Sequence, residues 1–330
     1  MTSTPEPIAV VGMACRLPGA PDLQAYWQLL LEGRDAVGPA PADRWPQAKT
    51  AFGGFLERID AFDAAFFGLT AQEAAGMDPQ QRLLLELSWE VLEDAGQLPG
   101  RLAGEAIGVF IGLSSADYYH TQLLAADQVD MYTISGAAAS VSANRISYQH
   151  DFRGPSLVVD TACSSSLTAV HLACESLQRG ECTQALAGGV NLLLSPLIHQ
   201  GFQEAMALSV LGHCSAFAAE ADGIVRGEGA GLVCLKPLAR ALADKDRIYA
   251  LIRGSAMGQD GLTNGLSAPS PAGQRAVLSR AYAGSGVDPR SVAFVEAHGT
   301  GTPLGDPIEA RSLADVVGKD RARPCRLGSV

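Results

Sequence analysis

Short apolar runs alternate with longer amphipathic segments along this chain, a pattern typical of a layered α/β fold. Several of the apolar runs show no polar alternation, as expected for strands that are covered on both faces. The runs predict strands at Ile8–Met13, Ala106–Gly112, Ser156–Asp160, Ala185–Val190, Gly231–Lys236, Ile248–Gly254 and Val292–Ala297, and the final run, Cys325–Val330, is also strand-like.

Helical spacing of apolar residues predicts helices between these strands. The predicted helices are Leu23–Leu31 after Asp22, Pro79–Asp94 after Asp78, a helix from about Cys163 to Gln178, and a helix that begins at Asp306-Pro307. The apolar stripe predicted for the third of these helices comprises Leu167, Val170, Cys174 and Leu177. The segment Arg44–Gly53 is predicted to be a compact loop.

The composition supports a globular chain with a sizeable core, because 47% of the 330 residues are hydrophobic and only 18% are charged. The formal charge of −11 argues against a nucleic-acid surface, which needs clustered Lys and Arg. The start of the chain shows no basic segment followed by an apolar stretch, and no apolar run approaches the roughly 18 residues of a membrane span. We therefore expect a cytoplasmic protein without a membrane segment.

The seven cysteines form an odd set without a C-x-x-C pair. Neither a disulfide framework nor a zinc site fits this pattern, so we expect no metal. Free cysteine is among the most buried residue types, and most of these thiols should simply pack in the core. This is the expectation for Cys15, Cys174, Cys182, Cys214, Cys234 and Cys325.

The remaining thiol, Cys163, lies in the run VVDTACSSSL (158–167), which passes from a buried strand through a sharp turn into a helix. Unpaired N–H groups and the dipole at a helix N-terminus favour the thiolate, which is the form that attacks thioesters. The same N–H groups can help to hold an oxyanion after the attack. We interpret Cys163 as a nucleophile; an inert, packed thiol is the alternative.

A second candidate site lies in the run VEAHGTGTPLGDPIEA (295–310). A strand delivers His298 into a loop of glycine and threonine residues, and this loop leads into a helix. Glycine lets the backbone approach a ligand closely, and the hydroxyls of Thr300 and Thr302 can bind a substrate arm rich in amides. A histidine in such a loop is a stronger site candidate than an isolated one.

These two runs resemble those of the β-ketoacyl synthases, above all the ketosynthase domains of modular polyketide synthases. The resemblance extends along nearly the whole chain. Further matching motifs, in the order of the family, are IAVVGMACRLPG (8–19), MDPQQR (77–82), ADGIVRGEGAG (221–231) and DGLTNGL (260–266).

The resemblance implies an α/β, thiolase-like fold of stacked mixed sheets with helices in layers, usually as a homodimer. Residues 1–240 would form the N-terminal half with the nucleophile. Residues 241–330 would form the start of the C-terminal half with the histidine loop, so that the second half is incomplete.

The resemblance also implies a chemistry. Cys163 would accept an acyl group from the phosphopantetheine arm of an acyl carrier protein and then condense it with a decarboxylated malonyl-type extender. His298 would assist decarboxylation and stabilise the enolate, whereas Thr300 and Thr302 would line the pantetheine channel. Asp306 and Glu309 are expected to cap and orient the loop. The enzyme itself would need no metal or redox cofactor.

The family also uses a lysine and a second histidine in a Lys-Ser-Asn-Ile-Gly-His stretch, and Leu327-Gly328-Ser329-Val330 resembles the residues just before it. We therefore expect the isolated chain to be a poor condensing catalyst that can still be acylated at Cys163. The alternative is a truncated, non-condensing fragment that binds an acyl carrier protein, a complementing partner subunit or a complementing C-terminal segment. A degradative thiolase would need a second catalytic cysteine, and the His298–Thr302 loop argues against it.

Overall fold

The computed structural model describes residues 5–45, 51–125 and 129–330. The chain divides into two compact units. The first comprises Pro7–Pro196 and Gly227–Leu251, and the second consists mainly of Leu197–Arg226 and Ile252–Val330. The division into halves at residue 240 stays a prediction. Among the described residues, no helix is long and apolar enough to cross a membrane.

The described strands and helices alternate along the chain, as the apolar pattern predicts. The strands are β1 (Ile8–Arg16), β2 (Val37–Pro39), β3 (Phe52–Gly54), β4 (Ile107–Gly112), β5 (Ser156–Val159), β6 (Gln184–Asn191), β7 (Arg226–Gly227), β8 (Gly229–Pro237), β9 (Ala250–Ile252), β10 (Phe294–Glu296) and β11 (Arg326–Gly328). The α-helices are α1 (Leu23–Glu32), α2 (Ala71–Gly76), α3 (Pro79–Asp94), α4 (Pro99–Leu102), α5 (Asp117–Ala125), α6 (Met131–Ala137), α7 (Ala139–His150), α8 (Ser165–Gln178), α9 (Pro196–Glu204), α10 (Leu238–Asp244), α11 (Pro271–Ser285) and α12 (Gly305–Val316). Each predicted strand overlaps an observed one, although β9, β10 and β11 are shorter than predicted.

The centre of the first unit is a mixed six-stranded sheet in the order β5-β4-β6-β8-β1-β9. β4 pairs in parallel with β5 and β6, whereas β8 pairs antiparallel with β6 and β1. All six residues of β4 are buried, which explains why its sequence shows no polar alternation.

Helix α3 has the bounds that the sequence predicts, because its start is chemically well marked. The Asp78 side chain accepts a hydrogen bond from the backbone N–H of Gln80, and Pro79 occupies the first helical position. Leu84, Leu87 and Val91 are fully buried in the main core cluster. Burial of such side chains stabilises the folded state by about 1.5–3 kcal/mol each.

The predicted apolar stripe of helix α8 agrees with the structure in its C-terminal half, where Cys174 and Leu177 are buried, but not at its start. The prediction places Leu167 in the core, but this side chain is 74% exposed. The buried face carries mainly small residues, among them Ser165, Ala169 and Ala173. Gly112 of β4 permits the close approach, since a Cβ atom there would lie 2.5 Å from the Ser165 backbone. The apolar-stripe prediction is therefore wrong at Leu167.

The second unit contains a parallel pair of strands and two helices that pack on each other. β10 pairs with β11 in the register Phe294↔Arg326 and Val295↔Leu327. The Ala297 N–H donates to the Gly328 carbonyl and continues this ladder to the residue before His298. Helices α11 and α12 are packed neighbours.

The predicted loop Arg44–Gly53 agrees only in part with the structure. Phe52 and Gly53 belong to β3, in the three-stranded sheet β2-β3-β7. Residues 46–50 lie outside the described residues. Trp45 is buried and makes an edge-to-face contact with Phe55.

Candidate active site

The turn that carries Cys163 is built between the end of β5 and the start of α8. The Ala162 N–H donates to Asp160 Oδ1 at 3.0 Å, and Ala162 has a φ of +54°. A left-handed alanine costs about 1–2 kcal/mol, so the surrounding contacts must hold this turn. A short 3-10 helix, Ala162–Ser164, then leads into α8. The result is an exposed Cys163 on a sharp turn.

Four hydroxyl groups hold this turn in place. Thr161 Oγ1 lies 2.9 Å from Ser164 Oγ and 3.0 Å from Thr168 Oγ1. Ser165 Oγ accepts from the Thr161 N–H at 2.9 Å and donates to the Ala162 carbonyl at 2.7 Å. Such local side-chain bonds satisfy backbone groups that the helix itself leaves unpaired.

The other cysteines divide into two groups. Cys15, Cys174, Cys182 and Cys234 are buried, as predicted. Burial raises the pKa of Cys15 to about 11 and the pKa values of Cys174 and Cys234 to about 12, which keeps these thiols neutral and unreactive. The prediction is wrong for Cys214, which is exposed, and for Cys325, which is half-buried.

The loop that carries His298 is held by a carboxylate from α12. Glu309 Oε1 accepts the His298 N–H at 2.8 Å, and Oε2 accepts the Gly299 N–H at 2.9 Å. Ser329 Oγ donates to the His298 carbonyl at 3.3 Å. The backbone of His298 is therefore fixed on both sides, while the residue itself is exposed. The expected orienting role of Glu309 is confirmed.

At Gly301 the histidine loop contacts Gly223, which lies in the motif ADGIVRGEGAG (221–231). Gly301 has a φ of +66°, and its carbonyl accepts the Gly223 N–H at 2.9 Å. A Cβ atom at this position would lie 3.2 Å from the sulfur of Cys214, which donates to the Gly299 carbonyl at 3.5 Å. Partial burial, with the charge of Asp306, raises the pKa of the Cys214 thiol. Cys214 thus serves as packing for the loop.

The two threonine side chains of the loop lie together. Thr300 Oγ1 and Thr302 Oγ1 are 3.0 Å apart, and Thr302 Oγ1 also accepts the Gly305 N–H at 3.1 Å. The buried Asp306 accepts from the Phe217 N–H at 2.6 Å and from the Thr302 N–H at 3.4 Å. Asp306 therefore caps N–H groups and orients the loop as expected, although the N-cap residue of α12, Leu304, makes no side-chain cap bond.

The structure therefore brings His298, Thr300 and Thr302 together in one loop of the second unit, while Cys163 belongs to the first unit. Sequence reasoning missed the partners that fix each part, namely Asp160 for the cysteine turn and Ser329 for the histidine loop. Asp160, two residues before Ala162, gives only a weak signal in the sequence. The contact of Ser329 with His298 joins residues 31 positions apart and gives no local signal. No cluster of three or more metal-binding side chains occurs among the residues that the structure describes.

Comparison with known proteins decides the family. The model of the β-ketoacyl synthase N-terminal domain matches residues 5–241, and that of the β-ketoacyl synthase C-terminal domain matches residues 249–330. This chain belongs to the β-ketoacyl synthase family. The expected thiolase-like α/β fold is confirmed, since similar solved structures are ketosynthase domains.

Two of these ketosynthase structures are similar over 98% of this chain. The ketosynthase from module 6 of the bacillaene synthase of Bacillus subtilis is 40% identical with a TM-score of 0.91. The oxazolomycin ketosynthase domain OzmH of Streptomyces albus is 38% identical with a TM-score of 0.92. This chain spans 57% and 58% of those two chains.

Much longer relatives contain the same region. A phenolphthiocerol/phthiocerol polyketide synthase of Mycobacterium tuberculosis is 53% identical over 99% of this chain. The polyketide synthase ThaG of Burkholderia thailandensis is 49% identical over 98% of it. The chain covers only 18% and 6% of these two relatives.

Proposed function

We propose that this chain is a ketosynthase that forms carbon–carbon bonds on carrier-bound acyl chains. The Cys163 thiolate attacks an acyl thioester, and the carrier thiol leaves. A malonyl-type extender then loses CO2, and its α-carbon attacks the Cys163 thioester. The products are a β-ketoacyl carrier thioester and the free Cys163 thiolate. The observation that carries the proposal is the exposed thiol on the strained turn before α8 in a β-ketoacyl synthase.

His298 is proposed to stabilise the charge that develops when the extender loses CO2. A neutral imidazole N–H can donate to an enolate oxygen without adding a charge of its own. The backbone clamp by Glu309 supports this role, because a catalytic donor must be held near one geometry. The neighbouring hydroxyls of Thr300 and Thr302 are proposed to line the channel of the pantetheine arm.

The proposed partner is an acyl carrier protein, whose phosphopantetheine arm carries both the acyl donor and the extender. The long polyketide synthase relatives support this partner, since they are far larger than the matched region. In this proposal the phosphopantetheine belongs to the substrate, so the chain needs no resident cofactor.

A homodimer is proposed with two supporting observations. β5 is the end strand of the six-stranded sheet, and an unpaired edge is a template for pairing with a second copy. Leu167, on the helix packed against this strand, is 74% exposed in the single chain. A second copy of the chain would remove this apolar side chain from water.

Acylation provides the first test of the proposal. The chain is incubated with an acyl carrier thioester, and the adduct is mapped by peptide mass spectrometry. We expect one acyl group on Cys163, no adduct in Cys163→Ala, and unchanged labelling in Cys325→Ala. An adduct on Cys214 or Cys325 instead of Cys163 would contradict the assignment of the nucleophile.

Condensation provides the second test. Malonyl carrier protein is added to the acylated chain, and the β-ketoacyl product is measured. His298→Ala should still be acylated but should form product at least about a hundredfold more slowly. Acylation without product in the wild-type chain would favour the alternative of a non-condensing, carrier-binding fragment.

A further inference from the structure

An open cleft of about 530 Å³ lies in the second unit, and its lining includes neither His298 nor Thr300 nor Thr302. Its apolar wall comes from Val295 on β10 and from Leu313 and Val317 on α12. The segment from Arg321 to Leu327 forms the opposite wall. The volume lies within the range of small-molecule sites, which combine apolar walls with a few polar groups.

The polar groups of this cleft are three arginines. Arg321 is half-buried, and its guanidinium donates to the carbonyls of Val317 at 2.8 Å, Pro289 and Arg323 at 3.0 Å, and Val292. These carbonyls fix the group without neutralising its charge. Arg323 and Arg326 are exposed. Within the described part of the chain, none of the three forms an ion pair with a carboxylate.

Two acidic residues of the same unit have ion-pair partners outside the lining of the cleft. Asp288 forms an ion pair with Arg290 at 2.7 Å. Asp315 lies 3.3 Å from Arg275 and 3.7 Å from Lys319. The charged residues that line the cleft are all arginines, although the whole chain has a formal charge of −11.

We propose that this cleft binds an amphiphilic carboxylate, a molecule with a hydrocarbon or aromatic body and one carboxylate group. The body lies against Leu313, Ala314 and Val317, and the carboxylate lies at Arg323 and Arg326. Arginine suits this role because its planar N–H groups match the two oxygens of a carboxylate. The proposal concerns neither Cys163 nor His298 and does not depend on the proposed condensation.

Calorimetric titration of the chain with dodecanoate, below its micelle concentration, tests the affinity. We expect one binding site per chain and an about tenfold weaker Kd in the double variant Arg323→Gln/Arg326→Gln. The matched control is Arg153→Gln/Arg179→Gln, which removes the same charge from exposed arginines that already have carboxylate partners. Equal affinity in both double variants would overturn the proposal, as would equally tight binding of dodecyltrimethylammonium.

The half-buried Cys325 lines the cleft and reports on the position of the ligand. Dodecanoate should slow alkylation of Cys325 by iodoacetamide several-fold, whereas alkylation of Cys163 should not change. Ala314→Trp, a change at an exposed position of α12, should fill the cleft and abolish this protection while circular dichroism shows an intact fold. Protection of Cys163 alone would place the ligand at the nucleophile and contradict the proposal.

Discussion

His150 is a titratable residue in the apolar core of the first unit, only 5% exposed. Its Nε2 lies 2.8 Å from Ser88 Oγ, and its ring stacks on Phe152 at 5.2 Å. Burial lowers its pKa from 6.5 to about 4, because the charged imidazolium would lose its hydration. The ring is therefore neutral near neutral pH, and the Ser88 hydroxyl gives it a polar partner in the core.

This buried imidazole makes stability depend on pH. Between pH 6.5 and about 4 the unfolded chain binds a proton at His150 that the folded chain does not bind. The neutral ring contributes its full stabilisation above pH 6.5, the pKa of histidine in the unfolded chain. As the pH drops through this window, the free energy of unfolding should fall by about 3 kcal/mol. Urea unfolding at several pH values should show a flatter slope in His150→Gln than in the wild type. Exposed His120→Gln is the control, and parallel slopes for all three proteins would contradict the prediction.

Glu309 acts on the proposed reaction only through the backbone of the histidine loop. In Glu309→Gln the amide nitrogen cannot accept a hydrogen bond, so either the His298 or the Gly299 N–H loses its partner. We expect condensation to slow about tenfold or more while acylation of Cys163 keeps its rate. The measurement compares the two rates in Glu309→Gln and in Glu93→Gln, a control at an exposed position of α3. An equal loss of both rates would indicate general damage to the fold.

At the scale of the element, the sequence predicts those helices and strands whose ends carry chemical signals. α3 is found with its predicted bounds because Asp78 and Pro79 mark its start. β2, β3 and β7 were not predicted, since strands of two or three residues show no readable alternation. At the start of α8 the predicted face is wrong at Leu167, because apolar periodicity gives no weight to buried Ser, Thr and Ala such as Ser165, Thr168 and Ala169.

The close packing of α8 on the sheet can be tested at Gly112. In Gly112→Ala the new Cβ atom would meet the Ser165 and Ser166 backbone at 2.5 Å, so the helix start must shift. We expect a loss of about 2–3 kcal/mol in the free energy of unfolding and slower acylation of Cys163. Gly100→Ala in α4 is the matched control, with no atom within 4 Å of its Cβ and an expected change below about 1 kcal/mol. Unchanged stability in Gly112→Ala would refute the tight packing.

The residues of the candidate site can be predicted from the sequence only where they lie in one continuous motif. Cys163, His298, Thr300 and Thr302 each lie in such a motif, and their roles stay proposals. The contacts that hold these motifs, such as Asp306 with Phe217, join residues far apart in the chain. Local sequence patterns carry no information about such contacts, because they depend on how the whole chain folds.

At the scale of the whole molecule, the proposed homodimer predicts that substitution of exposed Leu167 disrupts the dimer, whereas substitution of exposed Leu31 does not. Leu167→Glu should convert dimer to monomer in sedimentation velocity, because a charge would be buried in the apolar contact between the copies. Leu31→Glu is the matched control, since Leu31 on α1 is 62% exposed and should leave the dimer intact. A monomeric wild-type chain would refute the proposed dimer, and a dimeric Leu167→Glu variant would refute the place of Leu167 in it.

The small-residue face of α8 has a practical consequence for engineering. Since the start of the helix rests directly on Gly112 of β4, even one added methyl group beneath it would displace the turn that carries the sulfur. Libraries meant to change acyl preference should therefore spare Ser165, Ser166, Ala169 and Ala173 and diversify exposed positions that do not face the sheet. Variation there can reshape the surroundings of the reacting carbon without moving the atom that attacks it.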